Sequence, residues 1–221
     1  MWGAHFNTYI SKLPRQAYYL YFITKNTDKN ILEIAAGSFR DTALLNQWNY
    51  KVVGIDFSQK AVDLAKKQYP EWKNNFYEMD ATSMTFPTES FDVSFHNGFF
   101  ICFPENALLT PLIKEQIRVT KRCIVCTVHN ALNSELLKLF QEKSKQDSLF
   151  DIRFYNPSEI RNILSPYCKS IQIYPFGHPV FDRLIKTLKN YPNVLKIIYN
   201  MIHPYLNIIQ CERLMVVGFL R

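Results

Sequence analysis

The chain has 221 residues, 48% hydrophobic and 20% charged, with a formal net charge of +7. That balance excludes a disordered chain and suits one globular domain with a sizeable core. No apolar stretch approaches the ~20 residues of a membrane-spanning helix, and no basic segment followed by an apolar one opens the chain, so a cytoplasmic protein without a signal peptide is expected.

Five cysteines without regular spacing read as free thiols, and Cys123 and Cys126 fall in a strand-like run where they read as core residues. The positive charge is scattered, with no basic run longer than Lys66–Lys67 or Lys121–Arg122. It suits an anionic small molecule or a solvated basic surface as readily as a nucleic acid.

In chain order, Trp2, Phe6, Tyr9, Ile10 and Leu13 recur at helical spacing before Pro14, and a second helix is predicted over Gln16–Ile23. Strands are predicted at Ile31–Ala35, Lys51–Ile55, Asn75–Met79, Phe91–Phe95 and Cys123–Val128. Helices fall between them at Asp41–Trp48, Gln59–Tyr69 and Leu108–Thr120. Such alternation builds a parallel sheet covered on both faces. A helix at Ser134–Lys145 and another within Phe154–Leu164 follow, then strands at Ser170–Tyr174 and Cys211–Leu220. Between these last strands, Pro175–Gln210 holds two helix-like segments parted by Pro192, too long for an ordinary connection, and it is read as a cap over a substrate. The expected organisation is a single domain: a helical lid (1–29), a cofactor-binding core (30–174), the cap insertion (175–210) and the last strand (211–221).

The stretch Ile31–Ser58 carries the most chemistry. An apolar strand ends in a small-residue turn with Gly37, a helix follows, and the second strand ends on Asp56. A turn of this kind lets backbone approach a ligand, and a strand-end acid pairs with ribose hydroxyls. The unit therefore points to a nucleoside cofactor.

With these motifs in order, the chain from Ile31 onward resembles a class I S-adenosylmethionine-dependent methyltransferase of the broad group that includes UbiE-type enzymes. Ile31–Phe39 (ILEIAAGSF) resembles the family's first motif, Val53–Phe57 (VGIDF) the second, and Met79–Ala81 (MDA) the end of the third strand. Phe86–Val93 (FPTESFDV) resembles the entry to the fourth strand, Glu115–Val119 the helix before the fifth, and Phe154–Leu164 the late helix. The resemblance implies a Rossmann-like, seven-stranded, mostly parallel sheet with its last strand antiparallel and helices on both faces. It implies S-adenosylmethionine as cofactor. Glu33 is then the motif acid of the cofactor site, Ala35 and Gly37 line the methionine end, Asp56 holds the ribose, Phe57 packs on adenine, Asp80 and Ala81 bind the adenine edge, and His96, Asn97 and Gly98 lie under the cofactor.

Two departures stand out. Ala35 and Phe39 replace the first and third turn glycines. Alanine is tolerable at position 35 if that residue keeps a negative φ, and Phe39 is harder to place because the third glycine normally permits close helix–strand packing. The erosion still favours the methyl donor over a dinucleotide, whose pyrophosphate needs the complete glycine turn.

A methyl transfer to a hydroxyl or protonated amine is helped by a general base. His129, at the end of strand five, is the first candidate and His96, ending strand four, the second. His5, Tyr9 and His178 are candidates for acceptor contact. No close histidine pair suggests a metal site. Tyr191, Tyr199 and Tyr205, with Lys186, Lys189 and Lys196, line an acceptor pocket, form a membrane-facing surface, or make a solvated basic face on a packed helix pair. His96–Phe99 reads HNGF, which argues against amino-group methylation of adenine or glutamine. The expected reaction is methyl transfer to oxygen or nitrogen of a small molecule, such as a phosphate-bearing or nucleotide-linked metabolite. An RNA methyltransferase, an aminopropyl transferase and a non-catalytic cofactor-binding module are the alternatives.

Overall fold

The computed structural model describes Phe6 and residues 8–220. Its strands are β1 (Asn30–Ile34), β2 (Lys51–Asp56), β3 (Phe76–Glu78), β4 (Phe91–Asn97), β5 (Thr120–Asn130), β6 (Phe154–Tyr155), β7 (Ser170–Phe176) and β8 (Arg213–Phe219). Its helices are α1 (Arg15–Ile23), α2 (Arg40–Gln47), α3 (Gln59–Gln68), α4 (Asn106–Arg118), α5 (Ser134–Ser144), α6 (Pro157–Leu164), α7 (Pro179–Leu188) and α8 (Pro192–Ile202). The sheet is eight-stranded in the order β3-β2-β1-β4-β5-β8-β7, with β6 beside β5. Pairing is parallel for β1–β2, β1–β4, β2–β3 and β5–β6, and antiparallel for β7–β8. The expected mostly parallel sheet is present, with one strand more than the sequence reading supplied. The extra strand, β6, is two residues long, too short for a periodic signal.

Contacts divide the chain into two units, one within Met1–Asn97 and Pro111–Ile124, the other within Gly98–Thr110 and Val125–Arg221. In the first, α1 has no side-chain cap of its own at Pro14. The buried Asp41 carboxylate instead accepts the Ala17 N–H at 2.9 Å, fixing the start of α1 to the first turn of α2. Tyr18 and Tyr21 close edge-on against Trp48 at 5.0 and 5.4 Å. Arg118, at the end of α4, donates to Glu115 and to the carbonyls of Met84 and Phe86, pinning the long loop before β4. The expected start of β5 moves from Cys123 back to Thr120, because Thr120 bonds Ser94 at 2.6 Å and Arg122 is paired with Asp28.

In the second unit, Pro192 parts α7 and α8 as the sequence suggests, standing in the first turn of α8, where its missing N–H has no partner to lose. Phe181 and Ile185 of α7 and Leu195 and Tyr199 of α8 are buried. Tyr199 is thereby separated from Tyr191 and Tyr205, with which the sequence grouped it: its ring stacks on His203 at 5.1 Å and lies 4.9 Å from Phe181.

The turn after β1 resolves the two missing glycines. Ala35, Gly37 and Phe39 all take left-handed φ, at 53°, 58° and 55°. The condition of a negative φ at Ala35 is therefore not met. A non-glycine residue there costs about 1–3 kcal/mol and needs surroundings that fix it. Phe39 supplies them, since its fully buried ring joins Phe6, Val62, Ala65 and Phe76 in one cluster and lies 4.9 Å from Phe76. Burying such a side chain contributes about 1.5–3 kcal/mol, which offsets the strain at one of the two positions. Room for it comes from Gly54 of β2, where an added Cβ would stand 2.6 Å from Phe39 Cδ1 and 2.8 Å from Thr42 Oγ1. Gly54 of the facing strand thus permits the close helix–strand approach. Gly54→Ala is expected to lower stability by about 1–3 kcal/mol in urea unfolding, and that loss to shrink in a Phe39→Gly background.

Candidate active site

The turn after β1, the C-terminal tips of β2 and β4 and the loop after β3 lie at one edge of the first unit's parallel strands, where open α/β sheets take their ligands. Backbone bonds draw the edge together: Ala36 N–H donates to the Ile55 carbonyl at 2.9 Å and Met79 N–H to the Asp56 carbonyl at 3.0 Å. Asp56 is 7% exposed. One carboxylate oxygen accepts the Gly37 N–H at 2.8 Å and the other the Ser58 N–H at 2.9 Å. Each oxygen keeps a second acceptor site, so the group can hold two hydroxyls at once. Desolvation raises its pKa, against the lowering effect of those two N–H bonds.

Glu33 lies beneath the turn. Its buried carboxylate accepts the Thr42 N–H at 2.9 Å and the Thr42 hydroxyl on the same oxygen. Burial holds its carboxyl well above the usual glutamate range, and the neighbouring Asp41 charge adds to the rise. The two bonds from Thr42 fasten the end of β1 to the first turn of α2. Phe57 follows Asp56 and is 79% exposed, its ring presented to solvent beside the strand tip. Asp80 is exposed and closes a local turn by accepting the Thr82 N–H at 2.7 Å, which leaves Ala81 in the following backbone bend. Asn97 ends β4 and is partly buried.

Among the acceptor-side candidates, Tyr9 gives its carbonyl to Arg40 Nη1 at 2.5 Å, and the guanidinium lies 5.8 Å from the Tyr9 ring. The segment before α1 is thereby tied to the first residue of α2, and Phe6 sits in the Phe39 cluster. His5 and Trp2 lie outside the described residues. His96 is fully buried on β4, and desolvation lowers its pKa to about 3. A ring held that way is neutral at pH 7 and a weak proton acceptor. His129 is also buried, with its ring 5.0 Å from Phe140 and 5.1 Å from Phe154. His178 caps α7: Nδ1 accepts the Val180 N–H at 3.3 Å and Nε2 lies 3.2 Å from Gln210 Oε1. With Nδ1 accepting, Nε2 carries the proton. Strand position led the sequence reading to these histidines, but β4 and β5 are buried along nearly their whole lengths, so their side chains face packed neighbours.

Arg213 did not enter the sequence reading. It opens β8, and in the second unit its guanidinium lies near Gly98: a Cβ built on Gly98, whose φ is +76°, would be 3.8 Å from Arg213 Nη1. A lone arginine in a CERLM run gives no motif, since its meaning comes from the antiparallel return of β8.

Residues 32–123 match the family model for a methyltransferase domain. No curated protein sequence matches the chain. The fold is shared with a methyltransferase from Thermotoga maritima described as a possible histamine N-methyltransferase (15% identity, 94% of this chain and 91% of that one, TM-score 0.62). It is shared also with an S-adenosylmethionine-dependent methyltransferase from Archaeoglobus fulgidus (14%, 97% and 94%, TM-score 0.61). A third likeness is to geranyl diphosphate C-methyltransferase from Streptomyces coelicolor, solved with Mg2+, geranyl diphosphate and S-adenosylhomocysteine (13%, 93% and 78%, TM-score 0.58).

Residues 32–123 carry a methyltransferase domain, on a fold shared with S-adenosylmethionine-dependent methyltransferases. Its cofactor is S-adenosylmethionine, and the donor set fits it: a strand-end carboxylate with free acceptor sites, a left-handed turn of small residues, and an exposed aromatic ring beside them.

A raised carboxyl pKa means the folded chain keeps a proton that the unfolded chain has lost. Glu33 therefore contributes stability at low pH that fades as pH rises from the usual glutamate value of 4.5 toward its own raised one. In urea unfolding, Glu33→Gln is expected to flatten this fall relative to wild type. Equal slopes in the two chains would remove the burial argument.

Proposed function

We propose that this chain transfers the methyl group of S-adenosylmethionine to an oxygen or nitrogen atom of a small, anionic acceptor, a phosphate-bearing or nucleotide-linked metabolite. The observation that carries the acceptor class is Arg213 beside Gly98, a guanidinium at the start of β8 suited to bidentate recognition of phosphate or carboxylate. The net charge of +7 agrees with an anionic ligand. The Streptomyces protein of similar fold was solved with a diphosphate ligand, which makes this acceptor chemistry a natural one for the fold.

When bound, S-adenosylmethionine supplies an already activated methyl group, so the protein's part is alignment and exclusion of water. Asp56 holds the ribose hydroxyls while keeping its bonds to Gly37 and Ser58. Phe57 covers adenine, and Asp80 and Ala81 bind its edge. Ala35, Gly37 and Asn97 line the remaining length, with Glu33 and Thr42 fixing the turn from beneath. Neither His96 nor His129 is assigned as general base, since one is neutral and enclosed and the other is packed between phenylalanines. Tyr9 and Arg40 hold the N-terminal segment at the cofactor turn, the place a lid would occupy.

Two substitutions separate cofactor from acceptor. Asp56→Asn is expected to weaken S-adenosylmethionine binding by calorimetry about tenfold to a hundredfold, the loss of a charge-assisted hydrogen bond. Unchanged affinity would sink the ribose assignment. Arg213→Gln is expected to leave that affinity in place and to lower turnover on phosphate-bearing acceptors, found by mass spectrometry as products one methylene heavier. Wild-type turnover in this variant would refute an anionic acceptor.

A further inference from the structure

Helix α8 is apolar over a wider arc than its core contact uses. Leu195 and Tyr199 face inward and are buried. Val194, Ile197 and Met201, at i, i+3 and i+7, form a second stripe on the exposed side, with Ile197 61% and Met201 67% exposed. Tyr191 stands immediately before the helix and Tyr205 in the turn after it, 62% and 87% exposed. Val180 of α7 and Ile209 beyond α8 are exposed as well.

The charge around this ridge has one sign. No Asp or Glu occurs between Asp182 and Glu212, whereas Arg183, Lys186, Lys189 and Lys196 all do. Arg183 and Lys186 project from α7 into solvent. The flanking carboxylates lie at the segment's two ends, Asp182 in the first turn of α7 and Glu212 just before β8.

We propose that α8 and its flanking residues form an interfacial surface that docks this chain on an anionic lipid bilayer. A convex apolar stripe along one helix can enter a plane along its whole length, as in-plane amphipathic helices do. Tyrosines at both ends of the helix suit the depth where one part of a side chain is apolar and the other wet. The cations supply the attraction to anionic headgroups, which falls off within a Debye length. A second copy of the chain is the poorer partner, because pairing this face with itself opposes like charges. The surface is interfacial and not spanning: among the described residues no helix is long and apolar enough to cross a membrane.

The test is flotation of the full chain with vesicles of phosphatidylcholine alone or mixed with phosphatidylglycerol. Wild type is expected to float with the anionic vesicles, about tenfold more weakly with phosphatidylcholine alone or in high salt. The double variant Ile197→Asp, Met201→Asp is expected to stay unbound while keeping its melting temperature and S-adenosylmethionine affinity, since both side chains are exposed. Charge reversal of Arg183 and Lys186 to Glu, which leaves the apolar stripe intact, is expected to lower the bound fraction and its salt dependence. Wild type that stays unbound with anionic vesicles overturns the proposal, as does a double variant that floats like wild type. A dimer by light scattering that the double variant abolishes assigns the face to a second copy and also overturns it.

Discussion

The cofactor edge depends on a carboxyl group kept away from water. Glu33 points from β1 into the space under the turn and takes both the amide and the hydroxyl of Thr42. A buried carboxyl in that place is expensive unless its hydrogen bonds are made, and making them fixes where α2 begins relative to β1. The neighbouring Asp41 uses the same turn to hold α1, and Arg40 uses it to hold the segment at Tyr9. Three successive residues of one helical turn thus fasten three separate parts of the chain. Asp56 completes the edge from the side of β2, by accepting the amide of Gly37.

The turn tolerates two non-glycine residues in left-handed conformation because space and burial are redistributed around it. A phenylalanine at position 39 needs a cavity, and the missing side chain at Gly54 provides it. The ring then becomes the centre of a cluster that reaches from Phe6 to Phe76. Conformational strain at one site and glycine in a facing strand are two halves of one packing solution. A glycine inside an otherwise β-branched strand such as KVVGID is the sequence trace of that close approach.

The histidines show the limit of reading sites from strand ends. His96 and His129 lie where parallel strands terminate, which is where ligands bind in this fold. Position along a strand says which edge a residue is near. It does not say whether the ring meets solvent or a phenylalanine, and in both cases the ring is enclosed. Tyr199 repeats the lesson in α8, where Tyr191 and Tyr205 are exposed and the residue between them is core. Arg213 shows the converse, since nothing near it in the chain marks it and only the antiparallel return of β8 brings it to Gly98.

Alternation of apolar strands with amphipathic helices determined the sheet and the order of its elements, because those periods are local properties of the chain. The strand-end acid at Asp56, the turn at Gly37 and the break at Pro192 were legible for the same reason: each acts within a few residues of itself. What tertiary structure alone decided were the left-handed φ of Ala35, the accommodation of Phe39, the enclosure of His96 and His129, and the place of Arg213. Packing between separate parts of the chain decides such features, as Gly54 does for Phe39, Phe140 for His129 and Gly98 for Arg213. Shape complementarity of that kind is set by how the whole layer packs, which no local pattern encodes.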